Sequence, residues 1–499
     1  MNKKILISLV PIAVVILGII GFTNEGYGFY EALLGSLKFL KVELDPLPDN
    51  TALEIARWLG VFFLFGLVYT AISAAIERGI VFAKSRKTDS VAVHGDSVYA
   101  RTLMSALGKR GIRSASTLAF YAPVQVISFE DDRDALEFYQ KHAEDFKLAK
   151  EVHLCLKMSS HISIESDNLY VTNISEIRAI DYWNTYFSHG PEKIALIGSG
   201  SQVEALLFWG LATNVYDVDC RNRYYVFGDF ERFINTHEDL NTMLRDFGKD
   251  SIEFLEGEWY SRMDIIKSAD RIILCGDALS NIGDSMDLRD IGVRCPIHIF
   301  AEDVSMSALS VSDAVIVGAL SKDNIENVLL MDSVHRAGKR CHASYMYFEG
   351  HKDTKARAGD LNEYLDSDEF RRSWKKLSAF LKGSNYAVAI HDRIRMELLL
   401  KDGIDVKGIN VEENEKLYAA LPQEEKDRLQ ETEHIRWCRY HFLNNWHKPD
   451  GDIIIDGEKA NKDETRRLHD NLVPYSELSE EEKVKDSYFY RTLCLRDKD

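Results

Sequence analysis

Lys193-Ile-Ala-Leu-Ile-Gly198-Ser-Gly200-Ser-Gln202-Val203-Glu-Ala-Leu-Leu207 is the stretch on which the fold of this chain turns. A short apolar run enters a glycine turn and leaves it as a helix. Downstream, Tyr224-Tyr-Val-Phe-Gly-Asp229 reads as a second strand ending on an acid, 29 positions after Gly200. Strand, glycine turn, helix and acid-tipped strand form a cradle for a dinucleotide. Glycines let the backbone approach a pyrophosphate, the helix N-terminus supplies positive potential, and the acid holds ribose hydroxyls. Gly198, Gly200, Gln202 and Asp229 are therefore candidate nucleotide-binding residues. Val203 stands where the pattern has its third glycine, so a unit of this fold that no longer holds a dinucleotide is the competing reading.

A weaker copy lies upstream. Val91-Ala-Val-His-Gly95 is a strand entering a turn, and Leu103 and Leu107 give the next helix an inner face. Only Gly95 is kept, with Ser97 and Ala100 at the other small positions, and the same two readings apply. Val124-Gln-Val-Ile-Ser-Phe, Val152-His-Leu-Cys-Leu, Arg271-Ile-Ile-Leu-Cys-Gly, Pro296-Ile-His-Ile-Phe and Ala314-Val-Ile-Val-Gly are short runs apolar on both faces. Separated by helical material, they read as buried parallel strands. The expected fold class here is two tandem α/β Rossmann domains, 89–188 and 190–345.

Before them, residues 1–88 hold two uncharged apolar runs, Ile5 to Phe22 and roughly Trp58 to Ile76. Each matches the hydrocarbon thickness of a bilayer at about 1.5 Å per residue. Lys3 and Lys4 before the first, and Arg78, Lys84, Arg86 and Lys87 after the second, place both basic clusters on one side. The positive-inside rule then puts the N-terminus and soluble domains in the cytoplasm, with the hairpin multi-pass in a bacterial-type inner (plasma) membrane. A cleaved signal peptide is the alternative for the first run, but no small-x-small cleavage site follows it.

Between the runs, Tyr30 to Leu40 spaces Ala32, Leu33, Leu37 and Leu40 as one face of a short helix. Glu43, Asp45 and Asp49 follow. They could line the mouth of a pore or sit in a solvated turn. Helix, short helix, acidic loop and helix resemble a two-span potassium-type channel. A carbonyl filter belongs after the short helix, where this chain reads Lys41-Val-Glu-Leu-Asp-Pro46. Gly26-Tyr27-Gly28 precedes that helix, so potassium selectivity is not implied.

The 499 residues carry a net charge of −18, which argues against a nucleic-acid partner. Seven scattered cysteines include no Cys-x-x-Cys pair, so neither a zinc site nor a disulfide framework is expected. Neither a metal site nor a catalytic residue is expected: there is no nucleophile elbow, phosphate-binding Walker loop or metal-ligand spacing.

The last segment, 384–499, follows linker helices at 346–383. It carries Thr432-Glu433-His434-Ile-Arg436-Trp437, then Trp446, then Leu472-Val-Pro474-Tyr475 and Leu478-Ser-Glu-Glu-Glu-Lys483-Val-Lys-Asp486. This text resembles the ryanodine-receptor repeat (RyR) domain, a small mostly α-helical module. Arg436 could hold a phosphate and Trp437 could stack a base. Glu433, His434, Trp446, Pro474, Tyr475 and Asp486 complete the candidate pocket. The alternative is that the charges pair internally and the tryptophans fill the core. Ser476 or Ser479 can cap the helix that starts near Glu480, and Ser479 and Glu482 are spaced as a capping box. His342 and Tyr345 fall at the junction, as junction-holders or ligand contacts.

Two spans followed by tandem Rossmann units resemble regulators of potassium conductance with the Trk-type NAD-binding fold. The resemblance implies a homotetramer whose Rossmann units form a ring that pulls on the inner helix. It also implies a small nucleotide-type ligand, NAD or another nucleotide-derived molecule, with membrane lipid as the other partner. The expected function is a ligand-gated, channel-like effector, of a build suited to stress or antiphage defence. A membrane-tethered nucleotide sensor without a pore is the alternative, and a membrane-anchored NAD-using enzyme is a third reading.

Overall fold

Runs that are apolar on both faces become parallel strands, because only a sheet covered on two sides buries both. In the computed structural model they build two such sheets. Residues 3–41, 48–113, 117–157, 168–301, 314–330, 332–350, 364–365 and 367–495 are described.

The first sheet holds β1 (Val91–His94), β2 (Gly111–Arg113), β3 (Val124–Ile127), β4 (Glu151–Leu156) and β5 (Leu169–Asn173). They lie in the order β2-β1-β3-β4-β5, every pair parallel. The second holds β6 (Lys193–Ile197), β7 (Arg223–Phe227), β8 (Ser251–Leu255), β9 (Arg271–Leu274), β10 (Ile297–Phe300) and β11 (Ala314–Val317). Its order is β11-β10-β9-β6-β7-β8, again all parallel. Counted from β6 as its first strand, that is 6-5-4-1-2-3, the doubly wound order of dinucleotide-binding sheets. The chain reverses direction across the sheet between β1 and β3, and again between β6 and β9. In open α/β sheets the crevice outside the strand ends at such a switch point is where ligands bind.

Ile194, Leu196, Val226 and Ile273 are fully buried in the second sheet, in a core that runs on without a break into Ile390, Leu398, Leu429, Phe442 and Tyr490 of the C-terminal helices. Those helices are Ala379–Lys401, Val411–Ala420, Gln423–Leu443 and Glu480–Arg491. The first of them starts earlier than the Ser384 expected from sequence, because Ser378 accepts from Leu381 N–H as its cap. Helix Asp332–Gly350 runs through the expected boundary at 345, and residues 351–363 of the expected linker lie outside the described residues. Ser479 caps Glu480–Arg491 by accepting from Glu482 N–H at 3.3 Å.

Contacts divide the chain into two bodies: Met1–Ser90 with Ser114–Ala122, and Val91–Arg113 with Pro123–Asp499. In the first, three helices, Lys3–Asn24, Phe29–Leu40 and Thr51–Ser85, pack through small residues. A Cβ on Gly18 would sit 2.4 Å from Ser36 Oγ, and one on Gly60 would sit 2.4 Å from Phe39 O. Val14, Ala32, Phe39, Leu53 and Ala56 fill the interior of this body. Its outside is greasy: Phe29, Tyr30, Trp58, Phe62, Phe65, Tyr69 and Ile76 are all exposed. Among the described residues one helix, Thr51–Ser85, is long and apolar enough to cross a membrane, and Val10–Asn24 is a shorter apolar stretch. Two spans are therefore not established by length and composition alone.

Candidate functional site

Gly198 ends β6 with φ +139°, and a Cβ there would lie 3.0 Å from the carbonyl carbon of Cys275 and from Gly276 N. The two strands that flank the switch point thus meet backbone to backbone. Gly228, after β7, has φ +137°, and a Cβ on it would strike Gly198 O at 2.3 Å. Both positions accept glycine alone. Gly200 has φ +85° but open space around it, and it is the N-cap of helix Ser201–Thr213. With no side chain at that cap, no cap hydrogen bond is made, and the first turn's N–H groups carry the helix's positive end.

Asp229 is exposed at the end of β7 and accepts from Glu231 N–H at 3.2 Å. Across the switch point, Asn281 is almost fully buried and braces the β9 turn. It accepts from Gly276 N–H at 2.9 Å and donates to Gly276 O at 3.0 Å and Phe300 O at 3.1 Å. Gln202, a sequence candidate, lies elsewhere: it is buried and donates to Ser175 O at 3.2 Å, so its amide faces the preceding helix rather than the crevice.

The equivalent place in the first sheet is closed. Gly95 has φ +103°, and a Cβ there would meet Ser128 O at 2.1 Å. Ser97 caps helix Val98–Leu107 by accepting from Ala100 N–H at 3.0 Å, and its hydroxyl meets Ser128 Oγ at 2.7 Å. Glu130 Oε1 accepts from Val98 N–H at 2.9 Å. A carboxylate therefore stands where the pattern would put a phosphate.

The candidate pocket residues of the C-terminal segment form a buried charge network. Glu433 and Arg436 are fully enclosed. Arg436 donates to Glu433 through Nε at 3.1 and 3.0 Å and through Nη2 at 2.8 Å, and Arg395 Nη2 donates to Glu433 Oε2. Burial pushes the Glu433 carboxyl up, but Arg395 and Arg436 outweigh it and hold the group at about 2. The fork offered as a phosphate clamp thus faces an interior carboxylate. His434 donates through Nε2 to Val473 O at 2.7 Å, and burial pushes its pKa down to about 4. Its Nδ1 is 3.6 Å from Asp486 Oδ2. Burial, and then the charge of Glu433, raises the Asp486 carboxyl well above the ordinary range.

Trp437 is half-buried, 3.9 Å ring to ring from His441, and Trp446 stacks on Phe380 at 4.8 Å. Tyr475 donates to Gln430 Oε1 at 3.0 Å. Pro474 lines an opening, a cavity of about 150 Å³ shared with Thr242, Phe247, Phe442 and Lys448. The structure thus brings Glu433, Arg436, His434 and Asp486 together inside the domain and leaves the tryptophans in its packing. At the junction, buried His342 shares a 2.9 Å hydrogen bond with Ser373 Oγ. Tyr345 packs near Tyr488 and Phe489. Of the candidate pore mouth, Glu43 and Asp45 lie outside the described residues, and Asp49 precedes Asn50, the cap of Thr51–Ser85.

No known family profile matches this chain, and no curated protein does. Among solved structures it is similar to the crystal structure of a point mutant of GsuK, with 15% identity, a TM-score of 0.34, and coverage of 66% of this chain and 97% of the other.

Sequence reasoning missed three sets of contacts around the site. Gly276 and Gly228 had a readable signal, since a Gly-Asp pair follows both β7 and β9 (Gly228-Asp229, Gly276-Asp277). Arg178 had none: it reaches from helix Ile174–Thr185 to Gly318 O at 2.9 Å and Ala301 O at 2.7 Å, clasping the ends of β10 and β11. Arg439 is the third. Buried on Gln423–Leu443, it donates to Phe247 O at 2.7 Å, to Asp250 Oδ2 at 2.8 Å and to Leu211 O at 3.3 Å, the last near the end of the glycine-turn helix.

Proposed function

We propose that this chain is a membrane-embedded nucleotide sensor whose second Rossmann domain binds a dinucleotide-type ligand and controls ion passage. The observation that carries the reading is the open glycine turn at Gly198–Gly200, placed at the switch point of a doubly wound sheet with Asp229 beside it. Pyrophosphate would take the first-turn N–H groups of Ser201–Thr213, and Asp229 the ribose hydroxyls. Arg439 links the far end of that helix to the C-terminal helices, so a shift on ligand binding has a rigid route into the RyR-like domain. Residues 86–90 alone separate helix Thr51–Ser85 from β1, which gives the Rossmann domains a short covalent lever on the membrane region. A ligand that prefers one state shifts the population by its differential affinity. Homotetrameric assembly and a role in stress or antiphage defence belong to this reading as extensions of the architecture.

The second reading is a tethered sensor without a pore, favoured by the sequence after the short helix, Lys41-Val-Glu-Leu-Asp-Pro46, which offers no run of glycine carbonyls. The test is the full-length protein, first in detergent with NADH, NAD and ADP-ribose, then in liposomes for ion leak. We expect saturable binding that Asp229→Ala weakens by about tenfold or more, and leak that follows occupancy. Binding without leak selects the tether. Nicotinamide turnover would make the chain an enzyme, and absence of binding to every nucleotide overturns the reading.

A further inference from the structure

Helix Asp332–Gly350 meets the first sheet at the starts of β4 and β5, around a cavity of about 110 Å³. This is the end of the strands opposite the switch-point crevice. Glu151 and Tyr170 of the sheet line the cavity together with His335, Arg336 and Lys339 of the helix. His335 is nine-tenths buried, and neither of its ring nitrogens has a hydrogen-bond partner among the described residues. Burial pushes its pKa down to about 3, so the ring is neutral and offers one donor and one acceptor. The Tyr170 hydroxyl and the Lys339 ammonium likewise have no hydrogen bond or ion pair among the described residues. Glu151 has only loose contacts, 3.5 Å to Lys150 Nζ and 3.6 Å to His153 Nε2. His153 is fully enclosed with both ring nitrogens unpaired, and its ring stacks on Tyr170 at 5.2 Å. Glu326, also in the wall, is taken: Arg110 Nη2 donates to its Oε1 at 2.6 Å. Polar groups inside folded proteins are paired almost without exception, so open groups of both signs on one cavity call for a partner from outside the chain.

We propose that this cavity binds a small zwitterion, an α-amino acid of glycine or alanine size, with its carboxylate on Lys339 and the Tyr170 hydroxyl and its ammonium on Glu151. An anion alone would face the Glu151 carboxylate, and a cation alone would face Lys339. A ligand carrying both charges answers both, through charge-assisted hydrogen bonds, and the neutral His335 ring can serve either pole. The size excludes a nucleotide, because pockets for drug-sized ligands begin at about 300 Å³. A metal ion is excluded as well, since no three His, Cys, Asp or Glu side chains among the described residues are placed to hold one. The helix that carries Lys339 also packs on Ala379–Lys401, where His335 lies 5.4 Å ring to ring from Tyr386 and Gly338 leaves no room for a Cβ against it. A bound amino acid therefore pins the first Rossmann sheet to the helix on which the C-terminal segment rests, and stabilises that arrangement by mass action. The site stands apart from the nucleotide crevice of the second domain and does not rest on it.

The test is calorimetric titration of glycine and L-alanine into the full-length protein in detergent, with acetate, inorganic phosphate and methylammonium as probes of one sign. The expected result is one site per chain with a Kd between about 1 μM and 1 mM, and binding at least about tenfold weaker for each probe of one sign. Lys339→Met keeps the apolar stem, removes the charge and should weaken amino-acid binding by about tenfold or more. Should that variant fail to fold, Tyr170→Phe removes one hydroxyl while keeping the ring, and must weaken binding by about threefold or more. Absence of binding by either amino acid shows a cavity that holds water alone and overturns the proposal. Acetate or phosphate binding as tightly as the amino acids overturns the zwitterion, and binding untouched by both variants overturns the location. No nucleotide enters the titration, so its outcome is independent of the second domain.

Discussion

Arg439 Nη1 and Asp250 Oδ2 are 2.8 Å apart with both side chains completely enclosed, one on a C-terminal helix and the other at the entry to β8. Asp250 also accepts from Asn222 N–H at 2.7 Å, and Arg439 donates to Phe247 O and Leu211 O. A buried pair of this kind is not itself a large source of stability, but removing one partner strands a charge, at about 3–5 kcal/mol. Asp250→Asn should therefore lower the melting temperature of the full-length protein by roughly 10 °C. Because one core spans the second Rossmann domain and the C-terminal helices, both should melt together. Two separated transitions, with only the C-terminal one displaced, would contradict this.

The glycines of the second domain should differ in a predictable order. Gly228→Ala puts a Cβ 2.3 Å from a carbonyl oxygen of the opposite turn, which has no room to retreat. Gly200→Ala meets nothing within 4 Å and carries only the strain of a backbone conformation (φ +85°, ψ −168°) that is essentially glycine's alone, about 1–3 kcal/mol. We expect Gly228→Ala to abolish nucleotide binding and cost several kcal/mol, as overpacking against backbone does. Gly200→Ala should lose about 1–3 kcal/mol and keep part of its affinity. Thermal melts with and without NADH read both effects, and equal losses in the two variants would refute the close approach of Gly228 to Gly198.

What could be read from sequence followed the strength of local signals. β1, β3, β4, β6, β7, β9, β10 and β11 are apolar runs and were readable as strands. β2 is three residues long and β5 and β8 are only partly buried, so their period is obscured by polar neighbours. Glycine turns are local, and their positive φ values were foreseeable at Gly95, Gly198 and Gly200. Glu130 and Arg439 act on partners far away in sequence, and no spacing rule brings Val98 to Glu130 or Leu211 to Arg439. For Glu433 and Arg436 the helical spacing was legible, but the second arginine, Arg395, is 38 positions away and decides that the fork faces inward.

Asp486 supplies a pH-dependent test. His434 gives its Nε2 hydrogen to Val473 O, so its Nδ1 lone pair faces Asp486 Oδ2 at 3.6 Å, which suits a neutral acid better than a carboxylate. Burial raises the Asp486 carboxyl above its unfolded value of 3.8, so folding favours the neutral form. The associated stability is fully present below pH 3.8 and is lost as pH rises toward the folded value. Asparagine keeps a donor and never ionises. Asp486→Asn should then raise stability at pH 7 and change nothing near pH 4. Buried neutral histidines, with His94 and His469 lowered by burial to about 4, weaken both proteins alike below pH 6.5. The difference between variant and wild type is accordingly the quantity to measure, and a variant less stable at pH 7 would show the charged form is needed.

In the N-terminal three-helix body the decisive contact is Gly60 against Phe39. Phe39 is buried near the end of the short helix, stacked on Phe22 at 5.8 Å, and its carbonyl oxygen would lie 2.4 Å from a Gly60 Cβ. Close helix crossings in lipid depend on small residues of this kind. Gly60→Ala must push the short helix away from Thr51–Ser85, whereas Gly66→Ala, on the same helix with nothing within 4 Å, should be neutral. Both variants should bind NADH like wild type, since neither touches the Rossmann domains' crevices. If the short helix forms part of an ion path, Gly60→Ala alters ligand-dependent leak by about tenfold or more in either direction, and Gly66→Ala does not. If the hairpin only tethers the chain, neither variant changes any flux and Gly60→Ala shows itself solely as a lower melting temperature of the N-terminal helices. A Gly66→Ala effect equal to that of Gly60→Ala would remove the packing argument altogether.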